Sequence, residues 1–114
     1  MSLDKTVRRH LSNCYGLDPE DVERVFVAYA GVLRRAAACF ATAVEEGRCE
    51  EASAQAHALK GALLNLGLEE PAQRAADLER ELKRSFTPEN TAQARQLMQE
   101  LSVVIQNFSA EGED

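Results

Sequence analysis

The sequence predicts an all-α fold, an antiparallel up-down-up-down four-helix bundle with an additional N-terminal helix. Three observations lead there. Alanine, leucine, glutamate and arginine dominate a chain with 5% aromatics and no tryptophan, a composition that favours helix over strand. Apolar residues recur at the 3.6-residue period in successive segments, and no run alternates with period two. The breaks between segments are short and carry start and stop signals, so consecutive helices must fold back as antiparallel neighbours. A chain of 114 residues suits one domain with one core. The bundle is expected at about residues 18–108, the N-terminal helix at about 3–15, and a frayed tail at 109–114.

Taken in order, Leu3, Val7 and Leu11 recur along a first helix that ends near Tyr15-Gly16 and is expected to lie over one end of the bundle. Asp18-Pro19-Glu20-Asp21 combines an N-cap acid, Pro at the first helical position and further acid in the first turn. The second helix opens there and stops at Gly47, with Val22, Phe26, Tyr29, Leu33, Ala36, Phe40 and Val44 along one face. The third spans Cys49–Leu66, with Gly67 as its C-terminal cap. A short turn to Pro71 leads into the fourth, about Glu70–Ser85, which turns Ala75, Leu78 and Leu82 inward. Thr87-Pro88-Glu89 repeats the cap-then-Pro signal, and the fifth helix presents Ala94, Leu97, Leu101, Val104 and Phe108. Alanines at the inward positions 36, 52, 56 and 75 allow close helix approach.

Charge and composition exclude several function classes. A net charge of −6 opposes nucleic-acid phosphates. No run of 18 apolar residues and no signal-peptide core occurs, so the chain is expected to be cytoplasmic and not membrane-bound. Three cysteines at irregular spacing indicate no disulfide framework and read as small apolar fillers. His10 and Cys14 have i,i+4 spacing, but no second pair completes a metal site. There is no Gly-rich phosphate loop and no placed Ser-His-Asp set, so no kinase or hydrolase machinery is expected.

His57 is the informative residue, because it occupies the solvent face of the third helix. At roughly 100° per residue, Ala52, Ala56, Leu59, Leu63 and Leu66 fall within an arc of about 80°, and His57 points roughly 150° from its centre. Gly61 lies one turn on, Leu64 two turns on, and Leu68 just past the helix. A neutral imidazole is nucleophilic without an activating base. Lys60, on the adjoining edge, can reach phosphoryl oxygens as a point charge. A mid-helix glycine costs about 1 kcal/mol relative to Ala, and clearing space for an incoming group explains Gly61. Leu64 and Leu68 are expected to extend the face as apolar docking surface, and Val27, Gly31 and Ala38 on the second helix, with Arg34 and Arg35 near them, to widen it. In a hairpin turning near residue 68, Glu79 lies level with His57 and is a candidate to hydrogen-bond its ring.

The stretch AHALKGALLNLG resembles the signature of histidine phosphotransfer (HPt) domains, through His57, Leu59, Lys60, Gly61 and Gly67. The resemblance covers roughly residues 18–108, with Leu78-Glu79 in register. It implies a phosphoryl carrier, not an enzyme in its own right. His57 would accept the group from the aspartate of a receiver domain and pass it to a second receiver aspartate in two-component signalling. The resemblance also implies that no cofactor belongs to this chain, that Mg²⁺ sits on the partner receiver, and that a monomer suffices. Two alternatives use the same face: direct phosphorylation by a sensor histidine kinase, and a non-catalytic adaptor that docks a partner through Leu64 and Leu68.

Overall fold

In the computed structural model, which describes residues 3–112 and the side chains of 5–108, the chain forms five helices. They are α1 (Leu3–Tyr15), α2 (Pro19–Glu45), α3 (Cys49–Asn65), α4 (Glu69–Leu82) and α5 (Pro88–Gly112). The fold is the all-α bundle expected. Helix α3 packs against α2 on one side and α4 on the other, α5 closes the ring between α4 and α2, and α1 lies against α2 and α5.

The start and stop signals act as the sequence predicts. Asp18 caps α2 by accepting from the Asp21 backbone N–H at 2.9 Å. Before α5, Thr87 and Asn90 form a reciprocal capping box: the Asn90 N–H donates to Thr87 Oγ1 and the Thr87 N–H to Asn90 Oδ1. Asn90 also donates to the Ser85 carbonyl, and α4 ends at Leu82, not near Ser85 as the sequence predicts. At the other end of α5 the helix continues past Phe108 to Gly112. Ala110 and Glu111 favour helix and no breaker intervenes, so the segment expected to fray from residue 109 is helical up to that glycine.

The α2–α3 and α3–α4 turns share one device. Gly47 and Gly67 take φ of 70° and 79°, the left-handed region open to glycine. At the second turn the Gly67 N–H donates to the Leu64 carbonyl and the Leu68 N–H to the Leu63 carbonyl, the paired bonds of a Schellman motif. This motif folds the residue after the glycine back onto the helix.

The inward positions meet in one core that includes Phe26, Leu33, Phe40, Leu59, Leu63, Leu78, Leu97 and Leu101. Tyr29, expected inward, is only half-buried at the edge of the α2 stripe. By length and composition alone α2 could cross a membrane, yet its Phe26, Leu33 and Phe40 are core residues of the bundle. Cys14 and Cys39 are exposed and Cys49 half-buried, all with free thiols, so the expectation that they fill apolar space is corrected.

Helix α1 is held by specific contacts. Val7 and Leu11 are buried. The Arg8 guanidinium sits 4.6 Å over the Phe26 ring and donates to Glu23. Tyr15 donates its hydroxyl to Asn65 Oδ1 at 3.0 Å, at the end of α3.

Candidate functional site

His57 projects from the middle of α3 with 66% of its side chain exposed. The buried α3 residues include Ala52, Ala56, Leu59 and Leu63, the face predicted from periodicity, which leaves position 57 on the opposite side. The ring is not free. Its Nδ1 lies 3.0 Å from Glu79 Oε2 on α4, and the other carboxylate oxygen of Glu79 lies 3.2 Å from Lys60 Nζ. One carboxylate therefore engages both chemistry-bearing residues of α3.

The Glu79 side chain is only 16% exposed. Its partial burial opposes ionisation, but the hydrogen bonds from Lys60 and His57 outweigh it and hold the carboxyl below the usual glutamate range. An ionised carboxylate can only accept. With the ring neutral, Nδ1 carries the proton and donates it to Glu79, which leaves the Nε2 lone pair as the ring's nucleophilic position. Glu50, Ser53, Ala54, His57, Glu79 and Lys83 line a depression of about 640 Å³ beside the ring.

On the C-terminal side of His57, a Cβ built on Gly61 would meet nothing within 4 Å, so that approach is open. Leu64 follows with 51% exposure. Leu68 does not follow. It is buried in the core, because the Schellman motif turns it back toward Leu63, and the expectation of an exposed docking leucine there is corrected. On α2, Val27 is 61% exposed and Gly31 half-buried. The Arg35 guanidinium lies where a Gly31 Cβ would come within 3.5 Å of it. Arg34 lines a groove with Met98, Ser102 and Ile105 of α5. That groove lies between α2 and α5.

Two features escaped the sequence reading. Ser53, one turn before His57, is buried and donates its hydroxyl to the Glu79 carbonyl at 2.8 Å. Its position between the core stripe and His57 was readable from the helical period; its backbone acceptor on another helix was not. The second is the seating of α1 on the α3–α4 turn. The His10 ring packs so closely on Gly67 that a Cβ there would fall 2.5 Å from its Cγ. His10 and Cys14 are neighbours, with Nδ1 3.5 Å from Sγ, and among the described residues no cluster of three or more His, Cys, Asp or Glu could hold a metal.

A family model described as Hpt domain matches residues 27–107, which contain His57, Lys60, Gly61 and Glu79. No curated protein and no solved structure matches the chain.

Proposed function

The chain belongs to the Hpt domain family, phosphocarrier modules of two-component signalling that work with receiver domains and kinases, and we propose that in this chain His57 is the phosphoacceptor. The observation that carries the proposal is the hydrogen bond from Nδ1 to an ionised Glu79. It directs the lone pair of Nε2 outward on an exposed ring.

In the proposed step, Nε2 attacks the phosphorus of a receiver's aspartyl phosphate. The N–P bond forms as the P–O bond breaks, and the aspartate leaves as a carboxylate. Nδ1 keeps its proton throughout, so no base is required, and Glu79 stabilises the positive charge that develops on the ring. Reversal onto a second receiver aspartate returns the imidazole to its starting state. Lys60 neutralises phosphoryl charge as a point cation. Mg²⁺ belongs to the receiver's acidic pocket, and this chain contributes a positioned nucleophile. Gly61 leaves room for the phosphoryl group, and Leu64 and Val27 supply apolar docking area on a monomeric, cytoplasmic carrier.

The test is transfer of label from a phosphorylated receiver. Acid-labile, base-stable phosphate is expected on the parent protein and absent from His57→Gln, which should melt like the parent because the ring is largely exposed. Label that persists in the mutant, or moves to His10, overturns the assignment. Label that arrives only from a kinase domain with ATP replaces the receiver by a kinase as donor.

A further inference from the structure

We propose that Ser53 is a positioning residue for His57, acting through Glu79: its buried hydroxyl sets the height of α4 against α3, and with it the ring nitrogen that is offered to the partner. The inference rests on reading His57 as the phosphoacceptor.

Ser53 and Asn90 are the buried polar side chains among the described residues, and each must therefore be satisfied internally. Asn90 is used up in the α5 cap. Ser53 had a local choice. A helical serine commonly bonds the carbonyl one turn behind it; here the hydroxyl crosses to α4 and donates to the Glu79 carbonyl at 2.8 Å. That carbonyl lies in the last turn of α4, where backbone acceptors run out of intrahelical donors. The bond thus satisfies one group from each helix.

Its consequence for the site is geometric. Glu79 is pinned to α3 by its backbone, while its carboxylate engages residues 57 and 60 of the same helix. Ala52, Ala56 and Ala75 are all buried in this part of the bundle. Alanines present shallow ridges, so side-chain interlocking resists sliding weakly, and a directional hydrogen bond becomes the register mark. A slide of about 2 Å along the axis, little more than the rise of one residue, stretches a 3.0 Å contact that runs across it beyond hydrogen-bond range. Without the mark, Nδ1 loses its acceptor and the ring distributes its proton over both nitrogens.

The experiment compares the parent chain, Ser53→Ala, Ser53→Cys, Glu79→Ala and the Ser53→Ala/Glu79→Ala pair. Two quantities are read: the tautomer of the His57 ring from its ¹⁵N shifts at about pH 8.5, where a free imidazole is neutral, and the rate of phosphate uptake from a phosphorylated receiver. The parent ring is expected to be Nδ1–H. Ser53→Ala should mix the tautomers and slow uptake about threefold to tenfold, the worth of one hydrogen bond. Ser53→Cys keeps the volume with a weaker donor and should fall between, which keeps the test readable should the alanine variant fold poorly. In the Glu79→Ala background, Ser53→Ala should change neither quantity further.

A folded Ser53→Ala with a lower melting temperature but the parental tautomer overturns the proposal and leaves Ser53 a purely structural residue. A further tautomer change in the double mutant overturns it as well. A tautomer that responds as described in a protein that takes no phosphate supports the positioning role while sinking the phosphoacceptor reading, so the two failures are distinguishable.

Discussion

The two nitrogens of the His57 ring have different surroundings, and the difference comes from one carboxylate. Glu79 accepts from Nδ1 and from Lys60, so replacements at position 79 separate shape from charge. Glu79→Gln keeps an oxygen that can accept from Nδ1–H but loses the ion pair; Glu79→Ala loses both. Phosphate uptake should therefore fall in the order parent, Gln, Ala, with the alanine variant slower by about tenfold. The pH dependence follows from the depressed acidity of Glu79. A carboxyl whose folded pKa is lowered stabilises the fold above its unfolded pKa and loses that contribution as pH falls through the folded value. The melting advantage of the parent over Glu79→Gln should be present at neutral pH and disappear only below the ordinary glutamate range. An advantage that grows in acid, measured by thermal melts across pH, contradicts this sign.

Among the elements, α3 shows how far one helix can be read from its sequence. Its inward stripe, its outward histidine and its glycine stop were legible because each depends on the 100° step or on local backbone chemistry. Leu63 is fully buried and Leu64 is half exposed, so neighbouring substitutions should part company. Leu63→Asp buries an unpaired carboxylate and should unfold the bundle. Leu64→Asp should melt close to the parent while weakening receiver binding by about 1–3 kcal/mol. Equal melting losses in the two would mean that the helix faces otherwise. Leu68 was misread for a definite reason: the helical step was carried one residue beyond the point where Gly67 reverses the chain. Ser53 was missed because its partner is a carbonyl, and backbone acceptors have no residue signature. Gly67 itself has two constraints, its positive φ and the His10 ring against it. Gly67→Ala should lose about 1–2 kcal/mol to backbone conformation alone and more to the clash. His10→Ser should recover only the second part, read by chemical denaturation of the single and double mutants.

On the scale of the whole molecule, the fold is tied across its first and last helices. Arg8 of α1 covers Phe26 of α2, whose ring meets Phe108 of α5 edge-on with centroids 5.0 Å apart. Glu23 also holds Arg8, and the hydrogen bond to Arg8 keeps the Glu23 carboxyl below the usual range. Removal of residues 109–114 should leave this arrangement intact. Phe108→Ala should cost about 3–5 kcal/mol and loosen α1, seen as faster hydrogen exchange at Val7 and Leu11. Protection of α1 unchanged in that mutant would show that its seat does not depend on α5. The periodicities predicted the bundle and an N-terminal helix over one end, but not this aromatic contact, which joins positions 82 residues apart. No local pattern encodes a pairing at that separation.

The shared carboxylate of Glu79 also limits how this site can diverge. The orientation of the His57 ring and the tether of the Lys60 cation pass through one side chain, so a substitution at position 79 that removes the ring's acceptor also removes the cation's partner, and only a neutral acceptor such as Gln keeps the first while losing the second. Otherwise the two are adjusted separately only at positions 57 and 60. With His57 as the proposed phosphoacceptor, a change at the first removes the nucleophile, and a change at the second leaves Glu79 without its lysine. Under the proposed function, a lineage that changes its partner is therefore freer to vary Val27 and Leu64, proposed to dock the partner, than the three side chains proposed to act after docking.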